Sequence, residues 1–136
     1  MSLFNIFNIS GSALETQSKK MDVHAKNLAN SDSYIYKNGT LYPYVARIPM
    51  LQFDPISENN VGGVKMHTVA GDTSSLKSIY NPNSPIADSN GYSKVSNVDI
   101  MSETINAITA SKNYQTNLEI LNTTKNMIMK TLTIGQ

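Results

Sequence analysis

The stretch from Ser96 to Thr133 contains neither proline nor glycine, and a helix-permissive run of that length limits what the molecule can become. Apolar residues recur along it at Met101, Ile105, Ile108, Tyr114, Leu118, Leu121, Ile128 and Leu132, close to one stripe, with Ser111 and Lys125 interrupting it. The spacing predicts a helix of about 36 residues, about 54 Å long. The chain has 136 residues, and a compact domain of that size has a radius of gyration of only about 14 Å. Such a helix must protrude or find a partner. Ser96-Asn97-Val98-Asp99 reads as the capping box that starts it, with Ser96 as N-cap and Asp99 reaching back.

A second helical pattern lies at the other end. Phe7, Gly11, Leu14, Ser18, Met21, Ala25 and Leu28 alternate steps of four and three, the spacing of a coiled-coil seam. Large residues at one seam position and small ones (Gly11, Ser18, Ala25) at the other let two helices approach closely. The pattern predicts a helix from about Phe4 to Asn30. Ser31-Asp32-Ser33 ends it, because short polar side chains compete for backbone hydrogen bonds. Amides lie near both stripes, Asn27 and Asn30 in the first and Asn106, Gln115 and Asn122 in the second; buried amides fix register between helices at a cost in stability.

Residues 34–95 between the helices hold all five prolines and five of the seven glycines. Tyr42 to Phe53 is extended in character, and Pro43 and Pro49 confine it to an edge or a bulge. Val64 to Val69 alternates and pairs with it across the turn-rich residues 54–63. Residues 71–97, mostly Asp, Ser, Asn, Pro and Gly, read as an ordered loop with little core. The expected fold is mainly α, with a small irregular or β-rich domain inserted between two long terminal helices that pair as a coiled coil. Its parts are an axial helical segment over 1–33, the middle domain over 34–95 and a second axial segment over 96–136.

Composition removes several function classes. The net charge is +1, and Lys19-Lys20 is the longest basic run, so nothing draws the protein to nucleic acid or an anionic membrane. No run approaches the ~18–20 apolar residues of a membrane span. The segment Met1 to Ile9 lacks the basic start and cleavage site of a secretory leader. There is no cysteine, hence no disulfide, thiolate metal site or cysteine nucleophile. His24 and His67 lie in different elements without a ligand or base spacing around them, and the acids are dispersed. Gly62-Gly63 lacks the setting of a phosphate loop. The expectation is a non-enzymatic protein without cofactor or metal. Burying eight stripe residues would contribute about 12–24 kcal/mol before entropy is subtracted. Much of that is beyond a lone monomer, so the helical ends are expected to order on assembly.

Ser12-Ala13-Leu14, Gln17, Met21, Val23, Ala25 and Asn27-Leu28-Ala29-Asn30 resemble the amino-terminal motif of flagellar rod and hook proteins. Gly91-Tyr92, Asn97-Val98-Asp99, Glu103, Ala110-Ser111, Tyr114-Gln115, Asn117, Leu121 and Lys125 resemble the carboxy-terminal motif. The segment Tyr80-Asn81-Pro82, Pro85, Ala87-Asp88, Gly91-Tyr92, with Met129-Lys130-Thr131-Leu132, narrows the resemblance to the proximal-rod members. One departure is Ile35 before Tyr36-Lys37, where many relatives have a glycine.

The resemblance implies a structural subunit of the bacterial flagellar basal body, exported by the flagellar type III apparatus without a cleaved signal. Beyond the inner membrane such subunits self-assemble with other rod subunits into the hollow axial drive shaft used for motility. It also implies that the terminal helices line the tube. Phe7, Leu14, Met21, Leu28, Ile105, Ile108, Leu118 and Leu121 are then the residues expected to make the helix pair and the subunit contacts. A cytosolic helical binding module or export chaperone, or a subunit of a related secretion tube, is the alternative.

Overall fold

The computed structural model describes residues 3–55, 62–71 and 76–135. Two helices dominate it, α1 (Leu3–Ala29) and α2 (Ile100–Ile134). With 35 residues, α2 is about 52 Å long. The helices pack side by side and antiparallel: His24 near the end of α1 meets Glu103 near the start of α2, while Phe7 near the start of α1 and Ile128 near the end of α2 line a common gap.

The boundaries have local causes. Helix α1 ends at the Lys26 carbonyl, which accepts from the Asn30 backbone amide at 3.1 Å and from the Asn30 side-chain amide at 2.8 Å. The Ser31 amide closes on the Leu28 carbonyl at 3.3 Å and so satisfies one of the orphan acceptors of the last turn. Helix α2 is capped by Asp99, at φ −101°, whose carboxylate accepts from the Met101 amide at 3.2 Å and the Ser102 hydroxyl at 2.7 Å. The cap thus sits three residues later than the expected Ser96. Ser96 instead accepts from the Val98 amide at 3.3 Å within the lead-in turn. Asp99 is the better N-cap because its charge also complements the helix dipole.

Three two-stranded antiparallel hairpins fill the middle. The first joins β1 (Tyr34–Lys37) to β2 (Thr40–Pro43) through Asn38-Gly39, both at positive φ, 52° and 81°. That is the turn geometry whose twist matches flanking strands. The second pairs β3 (Arg47–Pro55) with β4 (Gly62–Ala70), with Met50 opposite His67 and Phe53 opposite Val64. This is the pairing expected from the alternation in the sequence; the tip of its turn, residues 56–61, lies outside the described residues. Pro49 is tolerated because a two-stranded ribbon has only edge strands. The third hairpin corrects the reading of residues 71–97 as a loop: β5 (Lys77–Tyr80) pairs with β6 (Tyr92–Val95). The connection is drawn shut by hydrogen bonds from the Asn81 amide to the Gly91 carbonyl and from the Asp88 amide to the Tyr92 carbonyl. Tyr80 and Tyr92 stack edge-to-face at 5.4 Å over the closing pair.

Among the described residues Val23, Pro43, Tyr44 and Ala110 are the buried apolar side chains, whereas Ser10, Thr16, His24, Asn27, Ser93 and Thr124 are buried polar residues. Specific hydrogen bonds, more than a large apolar core, therefore hold the parts in place.

The cap makes the start of α2 sensitive to acid. Donation from the Ser102 hydroxyl, reinforced by the Met101 amide, holds the Asp99 carboxyl below the usual carboxylate range although desolvation pulls the other way. A carboxyl depressed in the folded state stabilises the fold above its unfolded pKa of about 3.9, and that contribution disappears as the pH falls through the lower folded value. Amide exchange at Met101 is expected to speed up beyond its intrinsic pH dependence on such acidification, and Asp99→Asn to abolish that extra dependence. An unchanged profile in the variant would rule out the carboxylate as the titrating cap.

Candidate assembly surface

The two sequence motifs meet on one short segment. Asn27, 0 % exposed, uses its side-chain oxygen to accept from the Arg47 amide at 2.9 Å and the Tyr44 hydroxyl at 3.0 Å. Its side-chain nitrogen donates to the Arg47 carbonyl at 2.8 Å. From the far end of the sequence, the Asn97 side-chain oxygen accepts from the Ala46 amide at 2.8 Å. Residues 44–47 are thus gripped by one amide at the end of α1 and another just before α2. The expectation that Asn27 sets register between helices is corrected: its partners are β3 and Tyr44. Glutamine or aspartate would not reproduce this set of one donor and a doubly used acceptor in the same space.

Further along α1, Ser12 and Thr16 seat the β3–β4 hairpin. Ser12 accepts from the Val64 amide at 3.1 Å, and Thr16 donates to the Val64 carbonyl at 2.9 Å. One turn apart, the two hydroxyls do for the edge of β4 what another strand would do.

A different face of α1 meets α2. Phe7, Ser10, Leu14, Gln17, Met21, His24 and Leu28 are buried or half-buried, as are Glu103, Ala107, Ala110, Tyr114, Asn117, Leu121, Thr124 and Ile128 on α2. Both sets advance by alternating threes and fours, as an antiparallel coiled-coil seam requires. The second seam position on α1 is occupied by Ser10, Gln17 and His24. The predicted small residues lie one place later, and of these Ser18 and Ala25 are exposed. His24 Nδ1 lies 2.6 Å from Glu103 Oε2, with side chains 5 % and 15 % exposed. Gln17 Oε1 and His24 Nε2 are buried without a hydrogen-bond partner among the described residues.

The remaining predicted residues divide between two surfaces. Phe7, Leu14, Met21, Leu28 and Leu121 lie in the seam. Ile105, Ile108 and Leu118 are 61 %, 53 % and 40 % exposed and lie outside the seam, as do the exposed Met101 and Leu132, whereas Met129, also exposed, borders the open end of the helix pair beside Phe7. Of the motif residues, Gln17, Glu103, Tyr114 and Asn117 fall in the seam, Val98 is half-buried and Ala29 is exposed. Asn106, Gln115 and Asn122 are also exposed. At the far end of the helix pair a gap of about 420 Å³ opens among Phe7, Asn8, Lys125, Ile128 and Met129. A cleft of about 940 Å³ lies between the first and third hairpins. An apolar pattern misses His24; its place seven residues after Gln17 and three after Met21 is the signal that puts it in the seam.

The α2 region has a known family counterpart. Residues 89–134 match the family described as flagellar basal body rod FlgEFG protein C-terminal, and with the relatives below this places the chain in the class of flagellar basal-body rod proteins. Full-length relatives narrow this further. The chain is 51 % identical over 136 residues to the flagellar basal-body rod protein FlgC of Buchnera aphidicola subsp. Acyrthosiphon pisum, covering all of both proteins. It is 47 % identical over 136 residues to FlgC of Salmonella typhimurium, again covering all of both. It is 35 % identical over 150 residues to FlgC of Bacillus subtilis, with both proteins covered completely. The chain belongs to the FlgC family of flagellar basal-body rod proteins. That family is structural and is not an enzyme class, and membership does not favour the cytosolic binding module. No helix among the described residues is long and apolar enough to cross a membrane.

Asn27→Ala removes partners from the Arg47 amide, the Arg47 carbonyl and the Tyr44 hydroxyl together. A loss of about 3 kcal/mol is expected, against about 1 kcal/mol for Tyr44→Phe. Denaturant titration gives both values, and faster amide exchange at Arg47 in the first variant alone would mark release of β3.

At the seam, His24→Leu leaves the Glu103 carboxylate unpaired and is expected to cost about 2–4 kcal/mol, with His24→Leu/Glu103→Leu recovering most of it. Thermal unfolding of the two variants decides this; a double variant no better than the single one would mean the pair is uncoupled.

Proposed function

We propose that this protein forms the proximal part of the rod by laying its helix pair against those of neighbouring subunits, the outward apolar side of α2 making the contact. The observation carrying this reading is the exposure of Met101, Ile105, Ile108, Leu118 and Leu132 on a helix whose seam residues are already engaged by α1. Each such side chain contributes about 1.5–3 kcal/mol when fully buried, so a few of them outweigh the ordering cost of a subunit contact. Segments 1–33 and 96–136 form the axial part and residues 34–95 the outer part, and the stacked pairs transmit torque.

The small apolar core supports export in the unfolded state, since little has to be undone before passage and much is gained on assembly. The type III export apparatus and other rod subunits are the partners in this reading. It contains no catalytic step, cofactor, nucleic acid or insertion into a membrane.

Leu118→Asp places a charge on the outward side of α2 and leaves the seam intact. It is expected to leave secretion and monomer stability unchanged while abolishing rod incorporation and swimming. Leu14→Asp, inside the seam, is expected to block incorporation and also lower the monomer's melting temperature. Swimming at the parental rate in the Leu118→Asp strain would overturn the assignment of this face.

A further inference from the structure

Two Asn-Gly dipeptides take no part in the helix pair, Asn38-Gly39 and Asn90-Gly91, and the fold treats them oppositely. An asparagine before glycine is chemically vulnerable because the glycine nitrogen can attack the asparagine Cγ with no side chain in the way. At Asn90 that nitrogen is occupied: the Gly91 amide donates to the Asp88 carbonyl at 2.8 Å, and the Gly91 carbonyl accepts from Asn81 at 2.9 Å. A side chain on Gly91 would stand 2.8 Å from the Tyr80 ring. The N–H of the peptide between Asn90 and Gly91 is therefore engaged, and the next peptide along and the Tyr80 ring restrain Gly91 on its other side.

At Asn38 nothing comparable exists. The Gly39 amide lies beyond the closing pair Lys37–Thr40 and has no hydrogen-bond partner among the described residues. Nothing lies within 4 Å of where a Gly39 side chain would be, and both turn residues are exposed. Asn38 is also the one non-glycine residue at positive φ among those described, a conformation that costs a residue with a side chain energy. Ring closure requires the Asn38–Gly39 peptide plane to turn over, and only the short turn itself resists that.

We propose that Asn38 is a site of spontaneous deamidation, with water as the co-reactant, and that the fold protects Asn90. The Gly39 nitrogen gives up its proton and bonds to Asn38 Cγ; the Cγ–Nδ2 bond breaks, and Nδ2 leaves as ammonia with a proton taken up from water. Water then opens the succinimide at either carbonyl. Cleavage of the new Cγ–N bond gives aspartate, and cleavage of the original peptide bond to Gly39 gives isoaspartate. Nothing is oxidised or reduced; amide plus water becomes carboxylic acid plus ammonia. Isoaspartate routes the backbone through Cβ and Cγ, so a two-residue turn no longer matches the Lys37–Thr40 pair. Leu41 and Tyr42, which rim the cleft between the first and third hairpins, lose their placement with it.

The test is incubation of the purified full-length protein at mildly alkaline pH, folded and in denaturant, followed by peptide mapping with fragmentation that separates isoaspartate from aspartate. In denaturant both asparagines are expected to convert at similar rates. In the folded protein Asn38 is expected to convert several-fold faster than Asn90 and to yield isoaspartate. Asn38→Gln, which lengthens the side chain and disfavours the ring, is expected to leave Asn90 as slow as before. Equal rates in the folded protein, faster loss of Asn90, or no conversion at Asn38 over the period in which the denatured protein reacts would each overturn the proposal.

Discussion

The hydrogen bonds that Asn27 makes to Tyr44 and Arg47 hold the architecture to one arrangement. A two-stranded hairpin is marginal alone in water, and the β3–β4 ribbon exposes most of its side chains on both faces. It stays in place because α1 supplies polar groups to its backbone: Asn27 at the entry to β3, and Ser12 with Thr16 at Val64. Helix α1 is thus a spine with two working faces, one carrying hydroxyls and an amide for the strands and the other carrying the seam for α2. A single rotation of the helix would spoil both, which explains why so little apolar burial suffices to define the structure.

Hydrogen bonds suit a part that must become ordered without becoming self-sufficient. Each contributes only about 1 kcal/mol net, but leaving one buried group unpaired costs more than that. A molecule held this way is specific without a large store of stability. The apolar groups that would otherwise make its core remain on the outside of α2, where a neighbouring subunit can use them. The His24–Glu103 pair follows the same logic: it adds little stability relative to a hydrophobic pair of similar volume, but it penalises any other alignment of the two helices.

The helices are legible in the sequence because each is long, periodic and free of breakers, and the pairing of β3 with β4 follows from alternation around a turn-rich stretch. The seam reads one residue off at its second position because Ser10, Gln17 and His24 are polar, and an apolar pattern does not register polar residues that are buried through partners. The stripe on α2 is displaced for a related reason. Ala107, Ala110, Asn117 and Thr124 are small or polar, whereas the conspicuous isoleucines lie outside. Asn38-Gly39 between two β-prone tetrads is a strong local hairpin signal, obscured when the extended character is taken to begin only at Tyr42. The β5–β6 pair leaves no comparable trace, since its strands are separated by the long connection 81–91 and are tied by tertiary bonds. Asn27 is visible as part of a motif, but its partners are fixed only once α1, Tyr44 and β3 have come together.

The helix pair is closed at one end by the buried His24–Glu103 contact and gapped at the other, between Phe7 and Ile128. That asymmetry makes its mechanical response depend on direction. A force along the helix axes loads every seam residue in shear at once, so they must slip together and resist collectively. A force across the axes, applied at the gapped end, peels the helices apart one turn at a time against only the contacts nearest the opening. The pair is therefore stiff to axial shear and compliant to transverse prying.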